Sequence, residues 1–290
     1  TQYSPGGAVT RASAGYGDLS ALTDAGLTGG DVTGELPFDP LLSVSYAPLI
    51  ALQFSGFALS VFGLNGLNST DGASFRSEIQ ELVSTQTAVV MPGDIDRAEI
   101  ETAVQDGGAT EDGSVGPYSL YAADEDSNTS AEFGGETVDT IGISERDLVL
   151  SSRTGVETVI AAKRGTRERA TETFPPLAWL LSTTTDAATA FGGYSPDGFR
   201  TASQESFLSD VPSIQDSNGF VSSLTLDGET ATARLGAVFG DSISERKRTS
   251  IASIPGATSA DPSLTVDDNR ALLSGSYDVS IIRDALSEGQ

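Results

Sequence analysis

Histidine and cysteine are both absent from the 290 residues, and each absence removes chemistry. Without histidine there is no Ser-His-Asp triad, no Cys-His pair, no imidazole metal ligand and no side chain that ordinarily titrates near neutrality. Without cysteine there is no disulfide framework, iron–sulfur site or thiol nucleophile. Lysine is scarce as well: only Lys163 and Lys247 occur, and arginine supplies the rest of the 16 basic side chains. No P-loop is present, no G-x-G-x-x-G follows a strand pattern, and no G-x-S-x-G elbow occurs.

What the chain has in excess is carboxylate. Forty-one acidic residues leave a net charge of −25, with a pI near 4.1, while 38% of residues remain hydrophobic. That apolar content distinguishes the chain from a disordered acidic tail. At molar salt the Debye length falls to about 3 Å and like-charge repulsion is largely screened, so scarce lysine with abundant aspartate implies adaptation to high salt. The same charge excludes nucleic acid as a partner, because no basic stripe could neutralise a row of phosphates. The densest basic stretches, 164–169 and 246–248, are interrupted by Glu168 or preceded by Glu245.

Along the chain, residues 1–35 are rich in Gly, Ala, Ser and Thr and predict a flexible lead-in. Alternation of Leu42, Val44 and Tyr46 predicts a strand over Leu41–Tyr46. The longest apolar run, Ala47–Leu67, carries Pro48, Gly56, Gly63 and Gly66, which argue for buried core over a membrane span. Phe75, Ile79, Leu82 and Val83 fall at helical spacing, predicting an amphipathic helix from Asp71 to Val83 capped by Asp71 or Ser74. A strand over Thr87–Met91, a Pro92-Gly93 turn, and a helix from Asp94 to about Gln105 follow, with Asp106-Gly107-Gly108 ending it. A long polar loop then holds a short strand, Tyr118–Ala122. The hairpin Thr140–Ile143/Leu148–Leu150 and a helix bearing Val156, Val159 and Ile160 close this unit.

The second half has a similar ending: at an offset of 123, Ile143–Lys163 lies over Val266–Leu286. Phe174-Pro175-Pro176 marks a break between halves, followed by a helix around Leu177, Trp179, Leu180 and Leu181. Further strands are expected at Ala187–Phe191, Phe220–Leu226 and Thr232–Phe239. An Asp227-Gly228 turn joins the last two, and a helix runs from Ser242 to Ile254. The expected fold is therefore α+β: two repeated β-α-β-β-α-like units, with antiparallel or mixed sheets and helices on one face. The divisions are 1–35 as lead-in, 36–165 as first unit and 166–290 as second unit.

Phe38-Asp39-Pro40-Leu41-Leu42, Met91–Arg97, Tyr118-Ser119-Leu120-Tyr121 and Asp147-Leu148-Val149-Leu150 resemble segments of haloarchaeal exported cell-surface proteins. Such proteins are often lipid-anchored and built from duplicated sheet-and-helix units. The resemblance implies an extracellular or cell-surface location and an architecture. It carries no catalytic residue. The anchoring cysteine of such lipoproteins is missing here, so contact with a membrane would come only through an anchor before Thr1.

The remaining candidates use carboxylates, hydroxyls and lysine. Ser244-Glu245-Arg246-Lys247 has the S-x-x-K spacing of a lysine-activated serine, but on a charged helix it reads as a solvated face. Asp124, Asp126, Asn128 and Glu132 place oxygen ligands at alternating positions suited to weak binding of a hard cation such as calcium, although Thr129 and Gly135 replace the glycine and glutamate of an EF-hand loop. Asn68-Ser69-Thr70 and Asn128-Thr129-Ser130 are glycosylation sequons. Asp94 with Asp96, and Glu99 with Glu101, are paired carboxylates of the type a glycosidase uses, but no apolar pocket residue is identifiable that would raise one pKa, so they read as helix-start charge. No cofactor is implied.

The reading these features support is a non-enzymatic, salt-adapted structural or binding protein of the cell surface. The alternatives are a repeating subunit of a filament, lattice or virus particle, self-assembling or meeting other surface proteins through an apolar patch near Phe54–Leu64, and a carboxylate-based extracellular hydrolase.

Overall fold

The computed structural model describes residues 2–4, 6, 12–27, 39–45, 59–64, 67, 75–124, 131–133, 136–198, 211–254 and 260–287. The chain divides into two compact units. The first comprises Thr1–Gly7 and Ala51–Ala170, the second Ala8–Ile50 and Thr171–Gln290. The class is α+β, and each unit is built on an antiparallel sheet.

In chain order the elements are β1 (Ala12–Asp18), α1 (Leu19–Asp24), α2 (40–45), β2 (Glu78–Ile79), β3 (Glu81–Thr85), β4 (Val89–Asp94), α3 (Arg97–Asp106), β5 (Thr110–Val115) and β6 (Tyr118–Ala122). They continue with β7 (Ala131–Phe133), β8 (Glu136–Val138), β9 (Thr140–Ile143), β10 (Asp147–Ser151), α4 (Arg153–Lys163), α5 (Ala170–Thr173) and α6 (Pro175–Ser182). Last come β11 (Thr189–Tyr194), β12 (Gly219–Asp227), β13 (Thr230–Val238), α7 (Glu245–Ala252), β14 (Ala260–Asp267), β15 (Arg270–Asp278) and α8 (Val279–Ser287).

The sheet of the first unit runs β3-β4-β10-β9-β6-β5, with β2 also on β4, and β7 and β8 form a separate ribbon. Its centre is the expected hairpin of β9 and β10, whose Ile141, Ile143, Leu148, Val149 and Leu150 are fully buried. Burial on both faces follows from the uninterrupted apolar run in β10, where alternation is lost because neither face meets water. The helix α4 forms as the sequence predicts. Ser152 caps it by accepting from the Gly155 N–H, and Val156, Val159 and Ile160 are fully buried. It lies so close to β9 that a Cβ on Gly142 would come 3.0 Å from Val156 Cγ1.

The second unit runs β14-β15-β13-β12-β11-β1. The β12–β13 hairpin is as expected, but the two-residue loop is Gly228-Glu229, because Asp227 pairs with Thr230. Gly228 has φ 60°, the left-handed conformation glycine adopts without cost. Leu180 of α6 packs on Val221 of β12, while the neighbouring Ser222 donates to the Val44 carbonyl of α2 over 2.8 Å. Adjacent residues of a strand point to opposite faces, so α6 and α2 cover opposite faces of this sheet. Helices on one face alone were expected. A six-residue buried run in β12 needs cover on both sides.

Several local expectations are corrected. Residues 41–45 are helical, not a strand. Asp39 accepts from Leu41 N at 3.1 Å and Leu42 N at 3.4 Å, and Pro40 supplies the fixed φ of a first helical residue. The expected helix over 71–83 is replaced by β2 and β3, and its candidate caps Asp71 and Ser74 lie outside the described residues. Ile79, Leu82 and Val83 are buried all the same, because apolar side chains at this spacing can be covered on short strands as well as on a helix face.

Pro92 and Gly93 are not a turn but part of β4. Pro92 accepts from Gln80 N through its carbonyl, and Gly93 gives Glu78 room: a Cβ there would meet the Glu78 carbonyl at 2.0 Å. The α3 helix is capped by Asp96, not Asp94. The polar stretch before Tyr118 contains β5, paired with β6. Pro175 and Pro176 open α6, shortly after the chain passes from the first unit to the second at Ala170–Thr171.

Residues 12–24 of the expected lead-in form β1 and α1, with β1 paired to β11 from Ala12↔Tyr194 to Gly17↔Thr189. Small residues make a strand here because it lies against another strand, where bulk is not needed. Of the apolar patch near Phe54–Leu64, Leu59, Val61, Phe62 and Leu64 are buried within the chain, which takes them out of an exposed contact surface; Phe54 and Phe57 lie outside the described residues.

Candidate functional site

Two polar constellations stand out, both in the first unit. The first is built around Asp147, the opening residue of β10, which has 0% exposure. Its Oδ1 accepts from Tyr118 Oη at 2.7 Å and Ser144 Oγ at 2.6 Å; its Oδ2 accepts from Tyr3 Oη at 3.0 Å and from Lys163 Nζ. Lys163 also donates to Tyr118 Oη at 3.0 Å. Its ammonium lies 5.2 Å from the Tyr3 ring centroid and 5.7 Å from that of Tyr118.

Each member is delivered by a different element. Ser144 closes the β9–β10 turn, accepting from Asp147 N at 3.1 Å. Tyr118 begins β6, and Lys163 ends α4. Tyr3 is held by Ala170 N donating to Ser4 O at 3.0 Å and by Gly6 N donating to Glu168 O at 2.8 Å.

A buried carboxylate is tolerated when paired and hydrogen-bonded. Burial first, then the Asp147 charge and hydrogen bond, push the Tyr3 phenol above the tyrosine range. Burial, then the hydrogen bond from Tyr118 to Asp147, does the same for Tyr118. Both phenols therefore stay protonated as donors. Chemically the cluster holds a carboxylate in place. Sequence reading placed Asp147, Tyr118 and Lys163 within separate local segments and did not bring them together or single out Tyr3 and Ser144. The available signal was that Lys163 is one of two lysines and ends an otherwise apolar helix stripe.

The second constellation is an open groove of about 840 Å³, lined by Gln80, 93–98, Glu101, Glu145 and Arg146. It contains three of the four paired carboxylates. Asp96 is occupied as the α3 cap, accepting from Glu99 N at 3.2 Å, and pairs with Arg76 at 2.8 Å. Glu101 pairs with Arg97 at 2.7 Å, and the Arg97 guanidinium also reaches Ser119. Asp94, Glu145 and Arg146 sit exposed along the rim.

Glu99 turns away to Arg76 and Ser77, accepting from their N–H groups at 2.9 and 3.1 Å and from Ser77 Oγ at 3.1 Å. Burial raises its pKa, but these hydrogen bonds and the Arg76 charge outweigh that and leave it below the usual value. A general acid needs the opposite shift.

The other sequence candidates separate. Ser244 is the α7 cap, accepting from Lys247 N at 3.3 Å, while Lys247 Nζ pairs with Asp216 and lies 4.8 Å from the Phe239 ring centroid. Serine and lysine are thus held by separate partners. Of the cation candidates, Asp124 is described, whereas Asp126, Asn128 and the Glu132 side chain lie outside the described residues, as do both sequon asparagines, Asn68 and Asn128. Among the described residues no group of three acidic side chains is arranged to hold a metal ion, and no helix is long and apolar enough to cross a membrane.

No protein-family model matches the chain, and no curated protein matches it. Among solved structures the chain is similar to TP0453. Crystal form I aligns with a TM-score of 0.48 at 9% identity, covering 99% of this chain and 96% of that one. Crystal form III gives 0.48 at 7% identity over 99% and 97%, and form IV gives 0.41 at 7% over 96% and 92%.

Proposed function

We propose that this chain is a non-enzymatic, salt-adapted structural or binding protein of the outer cell surface, of the haloarchaeal kind its sequence resembles. The observation that carries the reading is the imbalance of 41 acidic against 16 basic side chains in a chain that has a packed core. The structural use of polar side chains, two of them buried, supports it. Asp147, Asp39, Asp96 and Ser244 hold turns, helix starts and tyrosine hydroxyls in place. The duplicated-unit idea belongs to the same proposal: a hairpin followed by a helix occurs as β9-β10-α4 and again as β14-β15-α8.

Fractionation of the source cells tests the reading. Recovery in the envelope or medium supports it, and recovery in the cytosol alone overturns it. Self-assembly is the separate alternative, for which light scattering at molar salt is the measurement. A carboxylate-based hydrolase is the second reading, favoured by the groove along Asp94, Asp96, Glu101 and Glu145. Release of reducing ends from extracellular polysaccharide, lost in Asp94→Asn and Glu145→Gln, would establish it.

A further inference from the structure

One face of the second unit's sheet changes character along its strands. Beside α6 it is apolar, with Val221, Val238 and Leu180 in contact. Two residues further along β12 the same face becomes hydroxyl-rich. Ser223 stands opposite Arg234 of β13, Arg234 opposite Ser274 of β15, and Ser274 opposite Ser263 of β14. The next row holds Thr225, Thr232 and Ser276. Strands lie about 4.8 Å apart and alternate residues about 6.7 Å apart, so these residues are the nearest same-face neighbours of Arg234.

Three observations set this tile apart. Ser223 is 1% exposed, and neither its hydroxyl nor that of Thr225 has a hydrogen-bond partner among the described residues. Buried hydroxyls are ordinarily satisfied, and an unsatisfied one costs free energy unless a ligand or water completes it. Arg234 is half-buried, and its guanidinium makes no ion pair or hydrogen bond among the described residues, in a chain where carboxylates outnumber cations by more than two to one. Neither of these two rows contains a carboxylate. On the described strands β12 to β15, the acids of this face lie outside these rows: Asp227 and Asp278 in the row beyond Thr225, and Asp267 at the other end opposite Arg270; Asp278 already accepts from Ser280 N at 2.8 Å.

We propose that Arg234, Ser223, Thr225, Thr232, Ser274 and Ser276 form a binding site for a small tetrahedral oxyanion, sulfate or phosphate. The planar fork of the guanidinium matches two oxygens of such a group, and hydroxyls from the flanking strands supply donors to the others. A carboxylate-rich protein in concentrated salt would meet anions only where its own charge is locally absent, and this tile meets that condition. The site belongs to the second unit, and the proposal does not depend on a cell-surface location of the protein.

The test is a titration of the full-length ¹⁵N-labelled chain with sodium sulfate, and separately with sodium phosphate. Sodium chloride is adjusted to hold ionic strength constant near molar. The expected result is saturable shifts of the amides of Ser223, Thr225, Thr232, Arg234, Ser274 and Ser276. Arg234→Gln weakens binding at least tenfold, and Arg234→Lys, which keeps the charge but loses the fork, gives an intermediate loss. Ser223→Ala weakens binding while leaving the ion-free melting temperature unchanged or raised, because it removes an unsatisfied hydroxyl; a purely structural serine would lower it. Shifts that never saturate, or saturable shifts unchanged in Arg234→Gln, overturn the proposal. Should Arg234→Gln fail to fold, Arg234→Lys and Ser223→Ala binding as tightly as the parent chain overturns it.

Discussion

The Tyr118 hydroxyl donates to Asp147 Oδ1 over 2.7 Å, joining β6 to the start of β10 inside the first unit. The second unit has a counterpart of different connectivity: Tyr277 of β15 donates to Asp39 Oδ1 over 2.8 Å, and Asp39 caps α2. In both places a tyrosine satisfies an aspartate that is at most 1% exposed. The acids that burden the surface at low salt are thus also used singly inside, where a hydroxyl partner keeps them tolerable.

Tyr118→Phe removes the donor to Asp147 and the acceptor of Lys163. The expected cost is about 1.5–3 kcal/mol, the range for a hydrogen bond to a charged group, since Ser144, Tyr3 and Lys163 still donate to Asp147. For a chain of this size that lowers Tm by roughly 2–4 °C per kcal/mol, readable by a thermal melt at constant molar salt. A Tm unchanged within error would refute the assignment.

Alkaline pH probes the same cluster. Both phenols have folded pKa values raised above the ordinary 10.0, so the folded state keeps protons that the unfolded chain releases. Their contribution is complete below pH 10 and is lost as pH rises above it. Stability of the parent chain should therefore fall on entering that range, and Tyr118→Phe should fall less steeply. Equal slopes for the two proteins would count against the raised values.

Breaking the ion pair from either side should cost more than removing a phenol. Lys163→Met leaves Asp147 buried without its cation, an effect of about 3–5 kcal/mol for buried pairs. Adding Asp147→Asn to that variant should restore part of the loss, because the uncompensated charge is gone. A double-mutant cycle by chemical denaturation measures it, and strict additivity would mean that the two groups do not interact.

Glu99 makes the opposite prediction at acid pH. Its folded pKa is depressed, so it contributes stability that is present above the ordinary 4.5 and lost as pH falls through the folded value. Glu99→Gln should destabilise the chain at neutral pH, by about 1–3 kcal/mol for hydrogen bonds to a charged acceptor, and flatten the acid limb. The pH profile of Tm for the two proteins decides it.

Salt acts on the whole molecule. At about 0.01 M the Debye length is about 30 Å, so most surface carboxylates repel one another, and a domain has only about 5–15 kcal/mol to lose. Tm should rise substantially from millimolar to molar salt. The exposed pairs Arg153–Glu157 and Arg76–Asp96 cannot offset the imbalance, since such pairs contribute about 0–1 kcal/mol. A Tm that is flat, or falls with added salt, would end the halophilic reading.

The sequence by itself determined the surface charge, the missing imidazole and thiol chemistry, and those elements whose signal is local. The β9–β10 and β12–β13 hairpins and α4 belong here, because their turns, cap and apolar spacing lie within a few residues of one another. Tertiary structure decided what local signals leave degenerate. Ile79, Leu82 and Val83 fit a helix face or a strand, and pairing with β4 selected the strand. Pro92-Gly93 looks like a turn until Glu78 lies against it. Ala12–Asp18 has too little bulk to announce a strand, yet β11 makes it one. The Asp147 cluster draws on Tyr3, Tyr118, Ser144 and Lys163, and the Arg234 tile on four strands; neither has a fixed spacing along the chain. Such sites exist only once long-range pairing has brought their residues together.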